Sequence, residues 1–453
     1  MVTKEIVEIH RKYYEAGNTL SVDKRISYLL KLKNAITKYE DEINKALKAD
    51  LNKHVFESKM TEIGIVFEEI NYILRHIKRW SKDKKVRTPI AQFSSKSYIH
   101  PEPYGVVLIM SPWNYPFQLA IEPLIGALAA GNCAVIKPSA YAKQTSILIK
   151  MIIEDVFPKE YVSVVLGGRE ENKELLNEKF DYIFFTGSVS VGKYVMECAA
   201  KNLTPISLEL GGKSPVIVDD TADIKLAAKR IAWGKILNAG QTCIAPDYVL
   251  INERVKEEFI KEYIHILEVF FDNGNYKSLP RIINDKHFDR VLSLIDFEKV
   301  VFGGDNDEET RFIEPTLMDN VTFEDAVMKE EIFGPILPLI SYENLDDAID
   351  TIVKRPNPLA LYLFTKDSAT KKKVVAKVKF GGGCINDTIV HVATSNMGFG
   401  GVGESGMGNY HGKASFDTFT HYKSIVDKHN FIDIPLRYPP YTKAKKKILS
   451  KVM

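Results

Sequence analysis

Tyr182-Ile183-Phe184-Phe185-Thr186-Gly187-Ser188-Val189-Ser190-Val191-Gly192 sets four apolar or aromatic residues ahead of a Thr-Gly-Ser turn and a segment of helical spacing. A buried strand turning into a helix in this way leaves the first helical N–H groups free. With the helix dipole behind them, those groups face an anion. Taken alone, the spacing is only moderately specific. The same alternation recurs from Tyr104 onward, with short apolar runs at 106–110, 134–136, 162–166, 182–185 and 216–218. Helical patterns at 144–157 and 191–201 lie between them. Apolar strands alternating with helices predict a parallel sheet with right-handed crossovers. A second series follows Glu209, at 248–251, 336–340 and 359–365. The expected fold is α/β, with two Rossmann-like parallel-sheet lobes that meet at the Glu209 segment. A crevice between lobes is where ligands usually bind.

The first 80 residues read as long amphipathic helices, rich in Lys, Glu and Leu. Residues 81–100 turn polar and then alternate, as an exposed hairpin does. The chain has 453 residues, enough for two or three domains, and its 45% hydrophobic and 26% charged content is that of a globular protein. A net charge of +2 argues against a dedicated nucleic-acid binder. The four cysteines, Cys133, Cys198, Cys243 and Cys384, form no Cys-x-x-Cys pair. That predicts free thiols in a reducing compartment, with neither a disulfide framework nor a metal site. Residues 1–20 are charged and lack an apolar centre, so no signal peptide is expected. The longest apolar region, 116–136, is interrupted by Glu122 and Asn132 and falls short of a membrane span. A cytoplasmic location is the expectation. After Asp433 no acidic residue occurs, while Arg437, Lys443, Lys445, Lys446, Lys447 and Lys451 accumulate. Such a tail is either a solvated end or a weak contact with an anionic membrane surface, where each cation contributes about 1 kcal/mol.

Two residues carry the strongest chemical signal. Cys243, in Asn-Ala-Gly-Gln-Thr-Cys (238–243), is a nucleophile able to attack a carbonyl. Glu209, in Ser-Leu-Glu-Leu-Gly-Gly-Lys (207–213), is a general base if the fold brings it within reach. In isolation, the cysteine reads equally as a small buried hydrophobe and the glutamate as a solvated charge. Asn114, in Ser-Pro-Trp-Asn-Tyr-Pro (111–116), follows a strong strand and sits where α/β sheets bind ligands. Its amide can donate to developing negative charge, or simply shape a turn. Lys137, in Lys-Pro-Ser-Ala (137–140), also ends a strand. The G-x-G-x-x-G matches at 398–403 and 401–406 lack the strand–turn–helix context of a dinucleotide fingerprint and are set aside. Glu330-Glu331-Ile332-Phe333-Gly334-Pro335 reads as a helix end followed by a Gly-Pro turn.

Glu-Leu-Gly-Gly-Lys followed by Gly-Gln-x-Cys at this separation resembles the aldehyde dehydrogenase superfamily. Leu203-Thr204-Pro205, Arg230-Ile231-Ala232-Trp233-Gly234-Lys235, Ala245-Pro246-Asp247-Tyr248, Arg281-Ile282-Ile283-Asn284 and Gly408-Asn409-Tyr410-His411-Gly412-Lys413 narrow the resemblance to the class 3 branch, which includes fatty aldehyde dehydrogenases. The resemblance implies a division into an NAD(P)-binding domain (1–80 and 101–209), a catalytic domain (210–395), bridging or oligomerisation segments (81–100 and 413–435) and a basic tail (436–453). It implies Cys243, Glu209 and Asn114 as catalytic residues, with Asn114 and the Cys243 N–H as oxyanion donors. Cofactor contacts would come from Trp113, Lys137, Gly187, Ser188, Gly192, Leu210, Glu331 and Phe333. Lys137 would reach the adenosine ribose, the 186–192 turn the pyrophosphate, and Glu331 and Phe333 the nicotinamide side. Many members carry Glu at the position of Ala140, where it repels a 2′-phosphate; Ala140 therefore leaves both NAD and NADP open. A homodimer is implied. The hydrophobic tail that anchors some members is missing, so no integral membrane segment is expected.

The expected reaction is oxidation of an aldehyde to its carboxylic acid through a cysteine thiohemiacetal and thioester. The substrate class implied is medium- or long-chain aliphatic or aromatic aldehydes, with a polyene aldehyde equally compatible. Tyr115, Trp233 and Phe399 are candidates for an apolar entrance. A CoA-acylating dehydrogenase and a non-catalytic cofactor-binding protein are the alternatives. Glu209 disfavours the first, and the intact Cys243, Glu209 and Asn114 disfavour the second.

Overall fold

Strands Ile206–Leu210 and Pro215–Val218 are separated by four residues, yet they belong to different sheets. The computed structural model describes residues 3–272 and 274–452. In the first sheet, Ile206–Leu210 pairs in parallel with Tyr182–Gly187, followed by Val106–Met110, Cys133–Lys137 and Val162–Val164. These strands are apolar and buried almost throughout, as parallel strands covered by helices on both faces must be. In the second sheet, Pro215–Val218 lies between Tyr248–Asn252 and Ala360–Phe364. Ile336–Tyr342, Thr316–Met318 and Val300–Phe302 extend one side and Gly382–Ile385 the other. Only the edge strand Val300–Phe302 runs antiparallel. The 211–214 segment is thus the crossing between sheets, and Glu209 stands immediately before it.

The amino-terminal helices Thr3–Glu15, Val22–Lys38, Glu40–Leu51 and Gly64–Trp80 follow the 3.6-residue pattern and pack their apolar faces into the first lobe's core. Lys84–Val86 and Ser95–Pro103 form the antiparallel pair read from residues 81–100. Thr420–Lys428, largely exposed, adds a third strand that lies along Ser95–Pro103 over nine residue pairs.

The glycine-rich run at 398–406 has a different use from phosphate binding. Gly406–Met407 pairs antiparallel with Ile206–Leu210, opposing Gly406 to Glu209. A Cβ on Gly406 would fall 2.1 Å from the Leu208 carbonyl oxygen, and one on Gly401 would fall 2.1 Å from the Ser405 oxygen. These glycines let a tight loop lie against the strand that carries Glu209. The 330–335 segment also differs from a helix end. The preceding helical turn, Ala326–Met328, is a short 3₁₀ turn, and Phe333 adopts φ 49°.

Candidate active site

Glu209, Asn114 and Cys243 line one cavity of about 410 Å3, which also receives Trp113, Thr186 to Ser190, Leu210, Gly211, Glu331 and Phe333. Each arrives from a different element. Asn114 follows the Val106–Met110 strand, and Thr186 and Gly187 end the Tyr182–Gly187 strand. Glu209 is on the last strand before the crossing. Cys243 lies beyond a tight turn in which Asn238, Ala239 and Gly240 have φ of 51°, 52° and 72°. Gly240 is required there, since a Cβ would sit 2.1 Å from the Gly334 carbonyl oxygen. The turn bearing Cys243 therefore abuts the loop bearing Glu331 and Phe333.

Hydrogen bonds fix these loops to each other. Asn114 Nδ2 donates to the Gln241 carbonyl oxygen at 3.0 Å. Asn238 Nδ2 donates to the Asn114 carbonyl at 2.9 Å and to the Gln241 carbonyl at 3.0 Å. The Gln241 side chain donates to the Asn238 and Arg281 carbonyls and accepts from the Ile283 N–H. Behind Cys243, the buried Tyr362 hydroxyl donates to the Ile244 carbonyl at 2.5 Å. Arg290 donates to the carbonyls of Glu331 and Ile332 at 3.2 and 2.8 Å. Lys213 pairs with Asp247 and donates to the carbonyls of Val327 and Glu330, while Asp247 accepts the Ile332 N–H.

The electrostatics favour neutral groups. Glu209 is buried and neither carboxylate oxygen has a hydrogen-bond partner among the described residues; burial raises its pKa well above the carboxylate range. Burial also raises the pKa of the half-buried Cys243 thiol, reinforced by the charges of Glu331 and Glu209 and opposed by the Cys243 and Ile244 amides. Glu331 is pushed up to about 8 by burial and then by Asp247. Its Oε1 is unpartnered, as is Thr186 Oγ1. Gly211 makes room for this carboxyl, since a Cβ would lie 2.0 Å from Glu331 Oε2.

These features fit a dinucleotide. Ser188 caps the Val189–Ala200 helix without a side-chain bond to it, leaving the first-turn amides for an anion. Trp113 packs on His287 and on Phe333, with ring centroids 5.0 and 5.3 Å apart, and forms an aromatic wall. Lys137 and Gly192 do not line this cavity. Lys137 is buried, its pKa lowered to about 8 by burial, and it donates to the carbonyls of Pro138 and Gly167. Gly192 faces Leu210, whose Cδ2 would be 2.6 Å from an added Cβ, so it allows close helix–strand packing. Among the described residues, no group of three or more His, Cys, Asp or Glu side chains is placed to hold a metal ion.

The family model for the aldehyde dehydrogenase family matches residues 2–425. The chain belongs to this family. It is similar to the 4,4′-diaponeurosporen-aldehyde dehydrogenase of Staphylococcus aureus, with 49% identity covering 95% of each chain. It is also 44% identical to aldehyde dehydrogenase family 3 member B1 of Rattus norvegicus, covering 98% of this chain and 96% of the relative. A solved structure described as the substrate-bound state of Staphylococcus aureus AldH superposes with a TM-score of 0.98, at 47% identity and full coverage of both chains. The protein is an aldehyde dehydrogenase, an oxidoreductase acting on aldehydes with NAD or NADP.

Several residues that support this cavity escaped the sequence reading: Lys53, Glu62, His287, Arg290 and Tyr362; Asn238 was seen only as part of the motif around Cys243. Burial lowers the pKa of His287 to about 4, so it presents a neutral ring to the cavity. Lys53, Glu62, His287, Arg290 and Tyr362 lie outside the short motifs at strand ends and turns that exposed the other residues. Of the three candidates for the entrance, Tyr115 and Phe399 are buried in the core. Trp233 lines a separate cavity of about 270 Å3 with Phe56, Met60, Ile236, Phe270 and Phe271.

Proposed function

We propose that this enzyme oxidises a long apolar aldehyde to its carboxylic acid through a thioester on Cys243. The convergence of Cys243, Glu209 and Asn114 on one cavity carries this reading. In it, the Cys243 sulfur attacks the aldehyde carbonyl, while Asn114 Nδ2 and the Cys243 N–H donate to the oxygen that gains negative charge. Glu209 then takes a proton from water as that water attacks the thioester, releasing carboxylic acid and thiol. Burial raises the pKa of both Cys243 and Glu209 and so favours their neutral forms, which links the ionisation of each to what enters the cavity. NAD or NADP, when bound, would supply the acceptor for the hydride that leaves the thiohemiacetal carbon as the thioester forms.

Trp113, Gly187, Ser188, Leu210, Glu331 and Phe333 would hold the cofactor directly. Gly192 would act by letting helix and strand approach, and Lys137 at the ribose end. This assigns 1–80 and 101–209 to the cofactor-binding domain and 210–395 to the catalytic domain. The bridging segments 81–100 and 413–435, which carry the strands Lys84–Val86, most of Ser95–Pro103 and Thr420–Lys428, would join two copies in a homodimer. Exposed Ile90, Phe93 and Val426 within them support that role. Four free cysteines support a reducing compartment such as the cytoplasm.

The mostly apolar cavity lined by Trp233, Phe56, Met60, Ile236, Phe270 and Phe271, separate from the one holding Cys243, is suited to a long hydrocarbon or polyene body. The test is the initial rate of NAD and of NADP reduction across aldehydes from acetaldehyde to hexadecanal, with benzaldehyde. Rising kcat/KM with chain length supports the assignment. No reduction with any aldehyde, with or without CoA, removes it.

A further inference from the structure

Lys53 and Glu62 form an ion pair with no exposed surface, Nζ to Oε1 at 2.6 Å. It lies directly beneath the loop that carries Asn114. Lys53 Nζ donates to the Asn114 carbonyl oxygen at 3.3 Å and stands 4.2 Å from the centre of the Tyr115 ring. Glu62 Oε2 accepts from the N–H groups of Phe117 and Gln118 at 2.9 and 3.1 Å. One pair therefore grips the backbone on both sides of Tyr115-Pro116, and Gln118 begins the helix Gln118–Ala130.

Local structure brings Glu62 to this position. Residues Lys59–Ile63 form a π-helical turn that buries Thr61, Glu62 and Ile63 together. The wide turn demands Gly64, where a Cβ would fall 2.6 Å from the Lys59 carbonyl oxygen. Such turns often mark functional sites. A buried ion pair is weak evidence for stability, because desolvation opposes its Coulombic gain. Among the described residues, every hydrogen bond of the two charged groups goes either to the other member or to the backbone of the Asn114 loop.

We propose that the Lys53–Glu62 pair is a positioning unit for Asn114. It would set the height and tilt of the Asn114 peptide, so that the side-chain amide meets the reacting oxygen. The inference rests on the reading of Asn114 as an oxyanion donor. Small displacements of a positioned group lower rates steeply without altering affinity.

The test compares Glu62→Gln, Lys53→Met and Asn114→Ala, singly and in combination, in the full-length enzyme. Glu62→Gln keeps the shape and one acceptor, and it carries the test alone if Lys53→Met does not fold. Glu62→Gln should lower kcat by about tenfold or more, with aldehyde KM and cofactor affinity within about threefold of wild type. In the Asn114→Ala background the same substitution should cost less than about twofold further, since residues acting as one unit are non-additive. A wild-type kcat in Glu62→Gln, or full multiplication of the two losses, overturns the proposal. If Asn114→Ala itself leaves kcat unchanged, the oxyanion reading fails first; a large loss there with none in Glu62→Gln removes the positioning unit alone.

Discussion

Asn114 Nδ2 donates to the carbonyl oxygen of Gln241 at 3.0 Å, across 127 residues of sequence. The bond ties the loop after a first-sheet strand to the turn that presents Cys243, so amide and thiol hold a fixed relation. One N–H of the amide is used in this way, and the other has no protein partner among the described residues. Removing the amide in Asn114→Ala should lower kcat by about 10²- to 10³-fold, the usual cost of losing one oxyanion donor. Cofactor affinity, measured by fluorescence titration, should stay near wild type.

In the proposed mechanism Glu209 accepts a proton from water, and burial raises its pKa. The Cys243 thiol is raised as well, and it too must lose its proton to act. Both shifts have the same sign for activity: the reactive forms grow as pH rises, so kcat and kcat/KM should climb through neutral into alkaline pH. Glu209→Gln should keep a stoichiometric burst of reduced cofactor in stopped flow while slowing the steady state by about 10²-fold or more. A full steady-state rate in this variant would assign the hydrolytic base elsewhere.

Gly211 lies at the crossing between the sheets, where an added Cβ would stand 2.0 Å from Glu331 Oε2. The Gly211→Ala variant must therefore displace the Glu331 carboxyl, one wall of the cavity. The expected result is a rise of about tenfold in the KM for NAD and NADP, equivalent to about 1.4 kcal/mol. The aldehyde KM should be largely preserved. Equal changes in both would place Glu331 outside the cofactor site.

The parts of this site that sequence exposed share a physical cause. Apolar runs at 106–110, 182–185 and 216–218 are buried parallel strands, which need side chains apolar on both faces. The residues after such strands, Asn114, Thr186 and Gly187, fall at the ligand-binding edge of the sheet because of chain direction alone. The supporting contacts lacked any such signal. Glu62 belongs to a π-helical turn and Lys53 to the connection before the short helix Val55–Ser58, and their common target, the Asn114 loop, is 55 to 61 residues away. Local periodicity carries no trace of a pairing at that range. Nor could the spacing in the 398–406 run distinguish glycines that hold a phosphate from glycines that admit a backbone. The missing strand–turn–helix context excludes the phosphate reading, and the pairing of Gly406 with Glu209 shows what the glycines admit instead.

In the proposed mechanism Cys243 carries the acyl group. The most direct measurement is the rate of NAD(P) reduction by Cys243→Ser with a long-chain aldehyde, alongside mass spectrometry of acid-quenched wild-type enzyme. The variant should lose activity by about 10³-fold or more, and the wild type should carry an acyl adduct on the peptide containing Cys243. Reduction at the wild-type rate by Cys243→Ser, or an adduct on another residue, would contradict that mechanism.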